Sequence, residues 1–402
     1  MSQLGLDRRQ ALKLFATLGA AGVAAPALSA CSASSLNSNK PVQDEGPVRI
    51  GLVVPQSGVY KTIGDDLTNG FQLYIKLNGG KLGGRQADLV LADEGETAES
   101  GKAATDKLLK QDHVVALTGV VSSATMGAIK DTVETAQVPL VGSNASPTTL
   151  QGVKYIWRTS FVGDEPGKAL GKFVADRLGG GSVFLIAADY QAGRDEINGF
   201  LGTYGGKVEG EPLYTPFTPT PTTNFGPYLN QIKNSNAKAV FCFYAGASAV
   251  AFVKQYKEFG LTQELYGAGF LTEGSVLKAE ADAAKGVFTS MNYSPDLDNP
   301  ANRRFASEYQ KTYNLIPTTY AMASFDAAAV LDKAIAIAGQ TGSLTSQTLN
   351  AAVGKVGTID SPRGSWQFNQ NRTPLQKWYL RQVRVDGTVL SNGVISELVT
   401  LG

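Results

Sequence analysis

Residues 114–125 read Val-Val-Ala-Leu-Thr-Gly-Val-Val-Ser-Ser-Ala-Thr. A short apolar run ends in glycine, and two serines stand where a helix-like stretch, 122–136, begins. A strand feeding directly into a helix is the recurring joint of a parallel α/β sheet. The same alternation extends in both directions. Upstream, 49–55 (Arg-Ile-Gly-Leu-Val-Val-Pro) is an apolar run stopped by proline, and 64–78 sets Phe71, Leu73, Tyr74 and Leu77 at roughly helical spacing. Segment 87–92 is strand-like and 99–111 helix-like, and downstream 139–142 is strand-like again.

The pattern then restarts. Segment 155–160 reads as a crossing strand, 165–178 as a helix and 182–187 as a buried strand; 240–244, 249–259, 265–269 and 286–293 continue the alternation. Residues 299–339 hold two long helices with no strand between them, the second (321–338) strongly apolar. The last 40 residues read as strands, with an Asp386-Gly387 turn before Val389. The expected fold class is α/β, with two Rossmann-like lobes built on parallel sheets. Open α/β lobes bind ligands at the carboxyl ends of their strands, here in the cleft between the lobes.

The 402-residue length suits two domains, and 43% hydrophobic with 18% charged residues describes a soluble globular body. Net charge is +1, and removing residues 1–30 leaves −1, which gives no pull toward nucleic acid or acidic lipid. Of the two cysteines, Cys242 lies in the apolar run Ala-Val-Phe-Cys-Phe-Tyr (239–244) and reads as a small buried hydrophobe. The single histidine, His113, reads as a turn residue. No Gly-x-Ser-x-Gly, Cys-x-x-Cys or histidine cluster is present, so neither catalysis, a metal nor a cofactor is expected. Segment 95–102 falls short of a phosphate loop: five residues separate its glycines, and Ala103 stands where Ser or Thr would hold magnesium.

The N-terminus has an export character. Asp-Arg-Arg-Gln-Ala-Leu-Lys (7–13) is charged, and 14–30 is a 17-residue apolar stretch interrupted by Gly19, Gly22 and Pro26. That is a signal peptide (1–30) rather than a spanning helix. Leu-Ser-Ala-Cys (28–31) resembles a bacterial lipobox, which implies acylation of Cys31, and the paired arginines resemble a twin-arginine signal, with Sec export as the alternative. Residues 31–47 read as a polar tether.

The strand ends supply the site candidates. Val121, Ser122 and Ser123 open a helix, whose unpaired N–H groups and dipole suit a carboxylate, although most such serines are plain caps. Ala145 and Ser146, in Gly-Ser-Asn-Ala-Ser-Pro (142–147), and Ser57 and Tyr60, after the first strand, read as close-approach loops or as ordinary turns. Tyr190, Tyr244 and Phe270 each follow a strand of the second lobe and either cover a ligand or pack.

Residues 48–395 resemble the type I periplasmic substrate-binding proteins of ABC importers, leucine/isoleucine/valine-binding branch. The resemblance is carried by 50–70 (with Pro-Gln-Ser-Gly and Gly64), 119–125, 139–150, Tyr-Ala-Gly at 244–246 and Asn-Pro-Ala-Asn at 299–302. It implies three crossing segments, near Ser160, Ser294 and residue 370, with lobe 1 formed by 48–160 plus 295–370 and lobe 2 by 161–294 plus 371–402. It also implies that Ser122 or Ser123 binds the ligand carboxylate, that Ala145 and Ser146 add a carbonyl and a hydroxyl, and that Tyr244 is the second lobe's aromatic. The branch's glutamate for a ligand ammonium is displaced here, with Gly-Ala-Gly-Phe-Leu at 267–271 and Glu273 a few residues late. Its tyrosine before glycine is also shifted, to Tyr190 ahead of Gln-Ala-Gly (191–193). The ligand expected is therefore a small carboxylate, an amino acid or an aromatic acid lacking the amine, captured by lobe closure and handed to permease domains. A sensor of the same fold is the competing reading, and a hydrolase lacks a nucleophile–base pair.

Overall fold

The computed structural model describes residues 46–217, 221–340 and 342–402. The expected signal peptide, Cys31 and the tether up to residue 45 lie outside the described residues.

The first lobe runs through β1 (Val48–Val54), α1 (Lys61–Leu77), β2 (Lys81–Leu82), β3 (Arg85–Asp93), α2 (Ala98–Lys110), β4 (Ala116–Gly119), α3 (Ser123–Ala136), β5 (Leu140–Gly142) and β6 (Ile156–Arg158). Its sheet has the order β2-β3-β1-β4-β5-β6, parallel except for the short β2–β3 pairing. The second lobe follows with α4 (Glu165–Leu178), β7 (Ser182–Ala188), α5 (Gln191–Tyr204), β8 (Lys207–Val208), β9 (Leu213–Thr215), α6 (Gly226–Asn234), β10 (Ala239–Phe243), α7 (Gly246–Glu258), β11 (Glu264–Ala268), α8 (Ser275–Glu280) and β12 (Phe288–Met291). The chain then returns to the first lobe as α9 (Pro300–Tyr313), α10 (Thr319–Gln340) and α11 (Ser346–Val353). It ends in the second with the hairpin β13 (Gln376–Asp386) and β14 (Val389–Leu401), giving the order β14-β13-β12-β11-β10-β7-β8 with β9 also beside β7.

Sequence and layer agree closely. Every residue of β7 and β10 is buried, because a parallel strand carries helices on both faces. Cys242 is a free, buried thiol on β10, as its apolar neighbours predict, and burial pushes it up. Helix α1 buries Ile63, Leu67 and Phe71, four residues apart, against the sheet and α10. The two helices come close because α1 sheds a side chain: a Cβ on Gly70 would stand 2.0 Å from the Ala321 carbonyl oxygen. His113 is an exposed turn residue with φ of 50°.

The three crossovers are tied at one carbonyl. Ser160 C=O accepts hydrogen bonds from Asn292 Nδ2 (3.1 Å), Arg363 Nη1 (3.1 Å) and Gln376 Nε2 (2.9 Å). Arg363 is buried and paired with buried Asp326 of α10 at 2.7 Å, whose Oδ2 also accepts from Ser361 and Trp366. Removing either charge leaves the other unpaired in the core, at a cost of about 3–5 kcal/mol.

Candidate ligand-binding site

Both sheets present the carboxyl ends of their parallel strands to one cavity. The first lobe contributes Tyr60 from the 3₁₀ turn before α1, Val121 and Ser123 from the β4–α3 joint, Asn144, Ala145 and Ser146 after β5, and Tyr320 from the first turn of α10. Facing them are Phe161 and Gly163 of the first crossover, Tyr190 and Glu196 of the β7–α5 joint, Phe243 at the end of β10 and Phe270 after β11.

Seven of the ten residues expected from sequence therefore line the cavity: Tyr60, Val121, Ser123, Ala145, Ser146, Tyr190 and Phe270. Three do not. Ser57 is exposed at the start of its 3₁₀ turn and caps nothing. Ser122 is the N-cap of α3, its oxygen accepting the Ala124 N–H at 3.2 Å. Tyr244 points the other way. Successive strand residues alternate faces, so Phe243 meets the cleft while Tyr244 packs on Phe225 and Phe252 and shares a 3.2 Å hydrogen bond with Thr215.

The helix start expected to hold a ligand carboxylate already holds one from the protein itself. Glu94, fully buried after β3, accepts the Val121 N–H on Oε2 at 2.7 Å and the Ser122 N–H on Oε1 at 2.8 Å. Burial pushes its carboxyl up to about 7, against the pull of those two amides. The joint is strained to make this geometry: Val120, β-branched, sits at φ 62°. Sequence reasoning missed Glu94, which stands immediately before the segment scanned for a phosphate loop.

What remains open to the cavity is a set of neutral donors. Ser123, at the first position of α3, has no hydrogen-bond partner for its hydroxyl among the described residues. Ser146 Oγ and Tyr320 OH are buried with no partner. Buried polar groups are nearly always paired, and these two hydroxyls face one cavity, where each can donate to a ligand's acceptor. Around them stands an aromatic wall. Tyr190 stacks on Phe217 at 4.1 Å, Phe270 packs against Phe161 (5.3 Å) and Tyr320 (6.0 Å), and Tyr60 OH meets Tyr190 OH at 3.3 Å across the cleft. Burial pushes Tyr60 up to about 12, so both phenols are neutral donors.

Among the described residues no lysine or arginine lines the cavity, and the one acid there is Glu196. Glu273, the late glutamate in sequence, is spoken for: it pairs with buried Arg381 at 2.8 Å and accepts the Thr319 N–H at 2.9 Å. Among the described residues no cluster suits a metal ion, and no helix is long and apolar enough to cross a membrane.

Two α/β lobes closing strand ends over a small polar-and-aromatic cavity define a binding protein for small solutes. The chain belongs to the periplasmic binding protein family, whose model matches residues 47–388. It is 29% identical over 353 residues to the Leu/Ile/Val-binding protein homolog 6 of Brucella melitensis, covering 85% of this chain and 89% of that one. An ABC-transporter solute-binding protein from R. palustris, solved with 4-hydroxybenzoate, is 27% identical and superposes with a TM-score of 0.82 over 88% of this chain and 98% of its own. A second from R. palustris, solved with benzoate, is 28% identical with a TM-score of 0.81 over the same shares. The leucine-binding protein LivK of Thermotoga maritima, 20% identical, shares the fold at a TM-score of 0.78, over 87% of this chain and 98% of its own.

Proposed function

We propose that the protein is the extracytoplasmic capture component of an ABC importer, held to the membrane by a lipid on Cys31, and that its ligand is a small aromatic carboxylate. The observation that carries the ligand class is the pair of orphan hydroxyls, Ser146 and Tyr320, set in an aromatic cavity without a free acid partner at the β11 end. The ring stacks among Phe270, Phe243 and Tyr190, and neutral O–H and N–H donors meet the carboxylate. An α-ammonium finds no counter-charge where the amino-acid branch keeps its glutamate, and a buried unpaired charge is costly. The benzoate-binding relatives support the same class.

Capture proceeds by lobe closure, with lobe 1 taken as 48–160 plus 295–370 and lobe 2 as 161–294 plus 371–402. Closure excludes water and strengthens each polar contact. The protein performs no chemistry; the closed form is what the permease domains read. The test is a thermal-shift panel on the purified protein, since a ligand that binds only the folded state raises its melting temperature. Benzoate and 4-hydroxybenzoate raise it, and leucine and glucose do not. Stabilisation by leucine alone overturns the ligand class.

A further inference from the structure

Glu196 is the one group in the cavity that the capture scheme leaves unused. It lies on α5, is 1% exposed, and faces the cavity. Its Oε2 accepts the Gly167 N–H at 2.8 Å, and its Oε1 has no hydrogen-bond partner among the described residues. It shares the cavity lining with Ser146. The neighbouring Asp195 accepts the Thr148 N–H at 3.0 Å, and Ser146 C=O accepts the Gly163 N–H at 2.7 Å, so α5 and the first crossover are both stitched to the loop after β5.

Three carboxyls press on Glu196 with charge of its own sign. Asp195 precedes it on α5, and Asp164 and Glu165 face it from the start of α4. Lys168, the nearest cation on α4, is engaged with Asp164 at 2.9 Å. Glu94 is a further buried acid on the first-lobe side. A ligand carboxylate placed beside Ser146 would meet an ionised Glu196 in a dry cavity with no cation to offset the repulsion. We propose that Glu196 sets the charge preference of the site: it stays protonated and donates its O–H to the carboxylate of the bound ligand. This rests on the aromatic-carboxylate reading above. Burial raises the Glu196 carboxyl well above the ordinary range, which agrees with a proton held there.

The sign of the pH effect follows. The site is competent while Glu196 carries its proton, so affinity for an acid is full at low pH and is lost as pH rises through the titration of Glu196 in the free protein. The loss is about tenfold per pH unit beyond it. The experiment is calorimetric titration of the full-length protein with benzoate from about pH 5 to about pH 9, for the wild type and for Glu196→Gln. Glutamine keeps an acceptor for Gly167 N–H and a donor for the ligand, so it binds within about threefold of the wild type at low pH and shows no pH slope. A second measurement needs no variant: in two buffers of different ionisation enthalpy, wild-type binding takes up about one proton on the alkaline side and none on the acid side. Benzoate binding that is flat with pH and moves no proton overturns the role of Glu196 alone. Failure of benzoate to bind the wild type at any pH overturns the ligand class, and the proposal with it. Leucine binding that Glu196→Gln abolishes shows an ionised Glu196 paired with an ammonium, and overturns both.

Discussion

Tyr320 carries its hydroxyl into the cavity at a cost, because a buried O–H without a partner forfeits its hydration. Replacing it by phenylalanine removes that cost from the free protein, and melting temperature holds or rises. Affinity for an aromatic acid falls about five- to tenfold, the worth of one hydrogen bond of about 1 kcal/mol. A calorimetric affinity that does not change excludes Tyr320 from the ligand contacts. Tyr244→Phe has the opposite profile: losing Thr215 as a partner costs about 1 kcal/mol of stability in denaturant unfolding and leaves affinity untouched. The pair Phe243 and Tyr244 also shows where sequence runs short. The family correspondence pointed to the tyrosine, and a slip of one residue along a strand exchanges cleft for core. Glu196 and Tyr320 were illegible for a different reason. Each sits inside a helix, and only the packing of α5 and α10 aims it inward.

At the level of elements, the β4–α3 joint is a preassembled unit in which one side chain satisfies two backbone donors. Glu94→Ala leaves the Val121 and Ser122 N–H groups without their acceptor and costs about 2–4 kcal/mol, read as a lower urea midpoint. Glu94→Gln costs less, because its amide oxygen keeps one of the two. Most long elements were legible because burial on both faces writes continuous apolar strands and amphipathic helices into the sequence; α5, although 14 residues long, was not read. Helix α1 begins at Lys61, three residues before the expected start. Strands of two or three residues (β2, β8 and β9) are too short to show a period, and the short helices α6, α8 and α11 escaped notice likewise. The β13–β14 hairpin was legible from its Asp-Gly turn, observed with Gly387 at φ 58°.

For the whole molecule, one contact between the lobes brings backbone close to backbone. Gly246, at the start of α7, has φ of 57°, and a Cβ there would lie 2.5 Å from the Val59 carbonyl oxygen of the other lobe. Gly246→Ala thus costs about 1–2 kcal/mol through its left-handed backbone. It also holds the lobes apart, weakening ligand binding by more than about tenfold, with a ligand-bound scattering radius larger than that of the wild type. An unchanged affinity places the closing contact elsewhere. The two-lobe architecture was legible from the restart of the strand–helix pattern near residue 160. The knot at Ser160 was not, since Ser160, Asn292 and the pair Arg363 and Gln376 come from three separate crossovers and meet only because all three pass one point.

The Tyr60–Tyr190 contact spans the cleft, and the cavity behind it is walled by both lobes. Under the proposed capture by lobe closure, a molecule inside leaves only when the walls part, so its dwell time has a floor set by the opening rate, on the microsecond-to-millisecond scale of collective hinge motions. Two ligands of unequal affinity then differ in how often the open state lets them go, while sharing the same gate. For a carrier that must surrender its cargo on docking, that gate is the natural point of control: a partner that pries the lobes apart discharges any occupant, whatever its grip.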